Sequence, residues 1–459
     1  MADKTHTLSW REKVGYALGD TAANFIFQTM IMFQLAFYTD TFGIAATAAG
    51  TLFLVVRFWD AIFDPIMGAI ADSTHTRWGK FRPWILWTAV PFGIMGLLTF
   101  TTPPFGPAGK LAYAYVTYIV LMMVYSANNL PYSALSGVMT GDLAERTSLS
   151  SYRFVFAMLA QLVIQGLALP MVNYFGHGNS AKGYQVTMGI FSALAVVFFF
   201  ITFASTRERI QPTPGQHSSI AQHFRDLVKN GPWMAMFALT VVLFITLSMR
   251  GAVVLYYFKY YINRESLFSL FNVLGTTSTI IGIFFSKGLA VRYGKRNVFV
   301  GGLVLTTVFT AAFVFLPPTA IVAIFACEML RQFFYGFTIP LLWAMMADVA
   351  DFSEWRTGRR ATGIVFSAIV FGLKAGLGFG GAIAGYVLAA YGYVPNVPQT
   401  ATALLGIRLT MSIFPAITFA LCILCLWFYS IDKRMEIQIT QELDERRKKY
   451  AAPGALAPS

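Results

Sequence analysis

Long apolar stretches alternate with short polar connections along this chain, and the apolar stretches are too long for soluble core helices. A helix that crosses the hydrocarbon core of a bilayer needs about 20 mostly apolar residues. Twelve stretches meet that length, near 14–39, 44–71, 83–102, 111–139, 149–173, 186–205, 233–262, 267–290, 297–316, 319–347, 361–392 and 404–430. Gly and Pro inside them are tolerated, because neighbouring helices satisfy the backbone groups that a kink releases. The first stretch carries Asp20, Asn24 and Gln28 behind a short basic approach, Arg11 and Lys13, so it is expected to stay attached rather than be cleaved as a signal.

The polar intervals organise these stretches. The only long interior one covers 206–232 and splits the chain into an N-terminal six-helix bundle, 1–205, and a C-terminal one, 233–432, followed by a tail at 433–459. The two halves repeat weakly. Arg77-Trp-Gly79-Lys80 follows the second stretch and Arg292-Tyr-Gly294-Lys295 the eighth, while Pro131 precedes Asp142 by the same interval as Pro340 precedes Asp351. Matches at two corresponding places point to duplicated halves, the build of many secondary transporters. The expected fold class is all-α integral membrane, with twelve transmembrane helices in two pseudo-symmetric halves.

Composition agrees. Of 459 residues, 56% are hydrophobic and 12% charged, with mean hydropathy +0.60. Soluble domains carry about 25% charged residues, so a soluble enzyme and a disordered chain are excluded. The net charge of +13 suggests nucleic acid until its location is read. Basic residues crowd the intervals after the second, fourth, eighth and tenth stretches, the central segment and the tail; the alternate intervals hold few, mainly Lys110, Lys182, Lys259 and Arg264. The positive-inside rule then puts both termini in the cytoplasm of a multi-pass plasma membrane, the inner membrane in a bacterium, and leaves no nucleic-acid partner. Membrane lipid is the surrounding partner. Cys327, Cys422 and Cys425 sit in apolar runs and every His in a polar one, which disfavours a redox, haem or zinc centre. A membrane enzyme lacks a clustered nucleophile and base, so no enzymatic activity is expected.

Charges inside apolar stretches cost about 2.5–3.5 kcal/mol each on insertion scales, so each needs a partner or a watery cavity. The second stretch reads VVRFWDAIFDPIMG. Asp60 and Asp64 share one helix face, about 6 Å apart along the axis. Such a couple could co-ordinate a monovalent cation or share a proton. Alternatively, Arg57 pairs with Asp60 and Asp64 bridges to a neighbouring helix. Asp20, Asn24 and Gln28 form a polar stripe on the first stretch. Asn128 and Asn129 precede Pro131 on the fourth, where they suit a ligand or an interhelical hydrogen bond equally. Lys374 lies among glycines on the eleventh, and Arg331 is one turn from Glu328 as a structural pair. Trp59, Tyr125, Tyr132 and Trp343 could stack on a sugar ring or simply pack.

At these residues the chain resembles a known family. The strings YTDTFGI, RFWDAIFDPIMGAIADSTHTRWGKFRPW and PLLWAMMADVADFSEWRTGRRATGIVFS look like the glycoside–pentoside–hexuronide:cation symporters, the melibiose-permease-like branch of the major facilitator superfamily. The resemblance covers residues 9–435 and implies alternating access between two six-helix halves. It assigns cation binding to Asp60 and Asp64, with Ser126 in place of a family Thr. It assigns substrate binding to Asp20 with Asn24 beside it, Asn129 in place of an Asp, Ser133 in place of a Trp, Arg153, Trp343 and Lys374. Phe63 replaces a neutral Asn ligand, which tilts the coupling ion from sodium toward a proton; no other metal or cofactor is implied. Asp72, Arg77 and Arg82 resemble the superfamily's cytoplasmic loop signature. Asp348, Asp351 or Glu354, with Arg360 nearby, is expected to join a gate that pairs across the halves when the inside is shut. The expected activity is cation-coupled uptake, by a monomer, of a sugar, glycoside, pentoside or hexuronide, with a lysolipid or other amphipathic solute as the alternative cargo.

Overall fold

A computed structural model describes residues 8–140, 143–209, 230–357 and 362–451. Nearly all of the described chain is helical. The helices are α1 Trp10–Ala36, α2 Ala46–Ser73, α3 Arg82–Thr99, α4 Pro107–Met139, α5 Leu143–Gly176, α6 Ser180–Ser205, α7 Gly231–Tyr256, α8 Leu267–Tyr293, α9 Lys295–Ala312, α10 Ile321–Gly336, α11 Thr338–Thr357, α12 Thr362–Ala390, α13 Ala401–Met411, α14 Ile413–Trp427 and α15 Lys433–Ala451. The only β pairing among the described residues is an isolated bridge, Thr76 to Gly79.

Sequence chemistry sets several ends. Ser9 and Glu12 form a reciprocal capping box at the start of α1, and Asn179 accepts from the Lys182 N–H at the start of α6. Pro107 opens α4, where a missing N–H costs nothing. Two expected spans are interrupted. Residues 321–356 form one crossing divided at Phe337, and 401–427 one divided at Ser412. Ten crossings among the described residues are long and apolar enough to span a membrane. The sequence expects two more at α1 and α3. The first is diluted by its polar stripe, and the second is short and begins at Arg82.

The chain packs as two units. The first comprises residues 1–215, 251–273 and 381–407; the second comprises 216–250, 274–380 and 408–459. The last turns of α7, the first of α8 and the last third of α12 therefore belong to the unit built on α1–α6, although the sequence places them in the second half.

In the first unit, α1 packs on α5 and α6, α3 on α4 and α6, and α2 on α4. Tyr16 of α1 and Tyr132 of α4 stack at 4.6 Å between centroids. Each phenol donates to the other's carbonyl, at 3.2 and 2.7 Å. In the second unit, α9 packs on α10, α11 and α14, and α11 on α15. There α8 and α10 cross through Gly282 and Gly336, where a side chain at Gly282 would stand 2.1 Å from the Phe333 carbonyl. Small residues at a crossing let two backbones approach in a membrane protein. Glu328 of α10 is gripped by Arg331 and by Arg250 of α7, with closest contacts of 2.7 and 2.6 Å, all buried. The expected Arg331–Glu328 pair is thus part of a triad. Arg250 also donates to the Met411 carbonyl at 3.2 Å, beside the Ser412 break.

The two sequence repeats share a backbone feature. Gly79 and Gly294 both take positive φ, +111° and +87°. Each turns the chain between consecutive helices, and only glycine takes that conformation without strain. At Gly79 there is a second constraint: a Cβ would meet the Glu208 carboxylate at 2.5 Å. That carboxylate accepts from the N–H groups of Lys80, Phe81 and Arg82 at 2.8, 2.7 and 2.8 Å, capping the start of α3.

Candidate functional site

The polar stripe of α1 and the face of α5 meet in an ion pair. Arg153 Nε lies 3.2 Å from Asp20 Oδ1, with side chains 30% and 11% exposed. The guanidinium also sits over the Tyr132 ring at 5.2 Å. Tyr132 is fixed by its reciprocal bonds with Tyr16, so the Arg153 platform is held from below. The stripe continues as Asn24 donating to the Asp20 carbonyl at 2.8 Å and Gln28 donating to Asn24 Oδ1 at 3.3 Å. A carboxylate accepts from several hydroxyls and a guanidinium donates through five N–H groups. Side by side and partly open, they can bind a polyhydroxylated ligand from both directions.

A second pair lies on α2. Arg57 Nη1 donates to Asp60 Oδ2 at 2.9 Å, with side chains 9% and 4% exposed. This resolves the open question of Arg57 in favour of pairing. Asp64, one turn on, is half-buried. The half-buried Tyr125 ring of α4 stacks on Phe27 of α1 at 5.0 Å.

The other α4 candidates separate by face. Ser126 is fully buried and its Oγ has no hydrogen-bond partner among the described residues. Asn129 and Ser133 follow at helical spacing and are half-buried. Asn128 points elsewhere, donating to Thr88 of α3 at 2.8 Å; it ties two helices together.

The remaining candidates lie on other helices and loops. Trp343 on α11 and Lys374 on α12 are half-buried in the second unit. Asp348 is held by Lys295, at 2.7 and 2.8 Å, and Lys295 reaches Glu436 at 2.9 Å. Asp351 and Glu354 are half-buried on the same helix. Arg77 is exposed and lies over the Trp78 ring at 4.6 Å. Arg82 donates to the carbonyls of Trp78 and Phe203, at 3.3 and 2.7 Å. Arg360 and the side chain of Asp72 lie outside the described residues.

Sequence reasoning missed Arg250, Glu208 and Tyr16. Each works through a partner far along the chain. The signal for Arg250 was available: a lone arginine deep in an apolar stretch needs a carboxylate.

Comparison with known proteins places these features. Residues 15–433 match the MFS/sugar transport protein family. An isoprimeverose transporter of Lactiplantibacillus pentosus is 36% identical over 457 residues, 98% of this chain and 93% of that one. An inner membrane symporter of Escherichia coli is 35% identical over 448 residues, 97% of each. A crystal structure of a bacterial homologue of the human lysosomal transporter Spinster superposes with TM-score 0.66 at 13% identity, covering 94% of this chain and 98% of that one, a likeness of fold.

Proposed function

This chain belongs to the MFS/sugar transport family, and on that footing we propose that it takes up a glycoside, pentoside or hexuronide together with a cation by alternating access, without altering the sugar chemically. It is a multi-pass membrane protein and a secondary transporter of sugars. Both termini lie in the cytoplasm by the distribution of basic residues.

The observation that carries the reading is the pairing of two charge clusters in one bundle: Asp20–Arg153 on α1 and α5, and Arg57–Asp60 with Asp64 on α2. The first binds the sugar. Asp20 accepts from ring hydroxyls; Arg153 donates to hydroxyl oxygens or to a uronate; Asn24, Asn129 and Ser133 add neutral contacts, and Trp343 and Lys374 contribute from the second half. The second cluster binds the coupling ion. Two carboxylates one turn apart offer oxygens from the same helix face to a single monovalent cation or to a shared proton. Phe63 withholds the neutral ligand that sodium favours, so the passenger is a proton. Ser126 supplies a further oxygen for it.

Linkage requires the ion to raise sugar affinity by the factor that sugar raises ion affinity. One charge driven through 100 mV supplies about 2.3 kcal/mol, roughly fiftyfold accumulation. The test is uptake and counterflow in proteoliposomes with a panel of glycosides, pentosides and uronates, with and without sodium and at two pH values. Asp64→Asn should abolish uphill uptake while downhill exchange survives. Uphill uptake at full rate in that variant would remove the α2 cluster from coupling.

A further inference from the structure

One carboxylate outside both clusters collects a dense set of partners. Asp40 follows α1 in a π-helical turn, Phe37–Phe42, and α7 ends in a second such turn, Tyr257–Tyr261. These are the first helices of the two sequence halves, and π turns inside α-helices concentrate at functional places. Asp40 Oδ2 accepts from Lys259 Nζ at 2.5 Å and from the Tyr260 hydroxyl at 2.6 Å. Its Oδ1 accepts from Thr39 Oγ1 at 2.8 Å and from the Tyr393 hydroxyl. Asn396 donates to its carbonyl at 2.5 Å and accepts from Lys259 at 2.9 Å. With donors on both oxygens from four residues, the carboxylate's acceptor capacity is close to full.

The same residues fasten whole helices. Thr39 bonds Tyr256 at 2.7 Å and Thr51 bonds Tyr386 at 2.8 Å. Beneath them α2 and α12 touch backbone to backbone, where a Cβ on Gly385 would stand 2.6 Å from the Ala46 carbonyl. All of these residues lie in the first packing unit. Farther down α1, Gln34 is buried, with neither amide atom in a close hydrogen bond to any of the described residues, a polar group whose full solvation would require this end to open.

We infer that Asp40, with Lys259, Tyr260, Tyr393 and Asn396, is the latch that holds the transporter shut at the end away from its termini, and that the latch must break for substrate to enter from outside. The inference rests on the alternating-access reading and on the cytoplasmic placement of the termini. The fastening joins α1 to the far ends of α7 and α12, so no rocking of one sequence half against the other leaves it intact. Donors shared between both carboxylate oxygens make the release cooperative: losing one partner weakens the hold on the rest.

The test is sided labelling. Gln28→Cys places a thiol on the α1 stripe below the latch, and a membrane-impermeant maleimide is added outside right-side-out vesicles, with the parent chain as control for its own three cysteines. Labelling should be slow with the latch intact. Asp40→Asn or Lys259→Met should speed it about fivefold or more, the range of ordinary coupling between two states. The reversed pair, Asp40→Lys with Lys259→Asp, should slow it again. Tyr393→Phe removes one hydroxyl without stranding a charge and should give about a twofold rise, so the idea survives poor folding of the charge variants. External labelling that stays at the latch-intact rate in folded Asp40→Asn and Tyr393→Phe chains overturns it. Labelling needs no sugar. A chain that carries none of the sugars tested but labels faster without Asp40 keeps the latch and loses the proposed cargo; a chain that carries sugar but labels alike with and without Asp40 loses only the latch.

Discussion

Asp60 shows how a buried carboxylate on a membrane helix depends on its partner: Arg57 holds it at 2.9 Å. Breaking a buried pair by removing one member leaves the other charge stranded, at about 3–5 kcal/mol. Asp60→Asn should therefore lower the thermal midpoint in detergent as well as activity. A thermal scan beside the parent chain checks it, and an unchanged midpoint would argue that Arg57 finds another partner. Arg153 invites a similar distinction. Arg153→Lys keeps the charge but loses the planar fork and the stacking on Tyr132. Sugar affinity should fall about tenfold in counterflow, while a thermal scan stays near the parent.

At the scale of elements, the turn between α2 and α3 shows a loop signature with a structural duty. Glu208 satisfies three N–H groups at the start of α3. Replacing a helix cap costs about 0.5–2 kcal/mol. Glu208→Ala should lower the thermal midpoint accordingly, and Gly79→Ala should lower it too, through backbone strain at φ +111°. Gly294→Ala, with the same handedness but only ordinary contact with the Lys433 side chain at 3.4 Å, should cost less. The glycines were legible in the repeated RWGK and RYGK strings. Glu208 was not, because it stands 128 residues from the N–H of Lys80 that it caps, and nothing local marks it. The interruptions at Phe337 and Ser412 were hidden for a related reason: hydropathy reads through a local break when both flanks are apolar.

For the whole molecule, the periodic pattern was enough to give the class, the helical content and most crossings, since each apolar stretch declares its own burial. The intramembrane charges were equally visible, because a charge there is expensive wherever it points. Their pairing was not. Arg250 meets Glu328 across 78 residues and Asp40 meets Lys259 across 219. Such meetings follow from helix packing, which periodicity does not encode. The packing units make the same point, since α7 and α12 each contribute to both.

The start of the central polar segment has a practical consequence for dividing the chain in two. Thr206 bonds back to Thr202, Glu208 caps α3, and Arg209 grips Glu12 at 2.7 Å while its N–H reaches the Val138 carbonyl at 2.8 Å. Residues 206–209 are thus the last stitch of the amino-terminal bundle rather than slack tether. Two gene fragments meeting just after Arg209 should yield polypeptides that reunite in the membrane and regain uptake. Fragments meeting just before Thr206 should complement poorly, because the stitch would be left on the wrong piece.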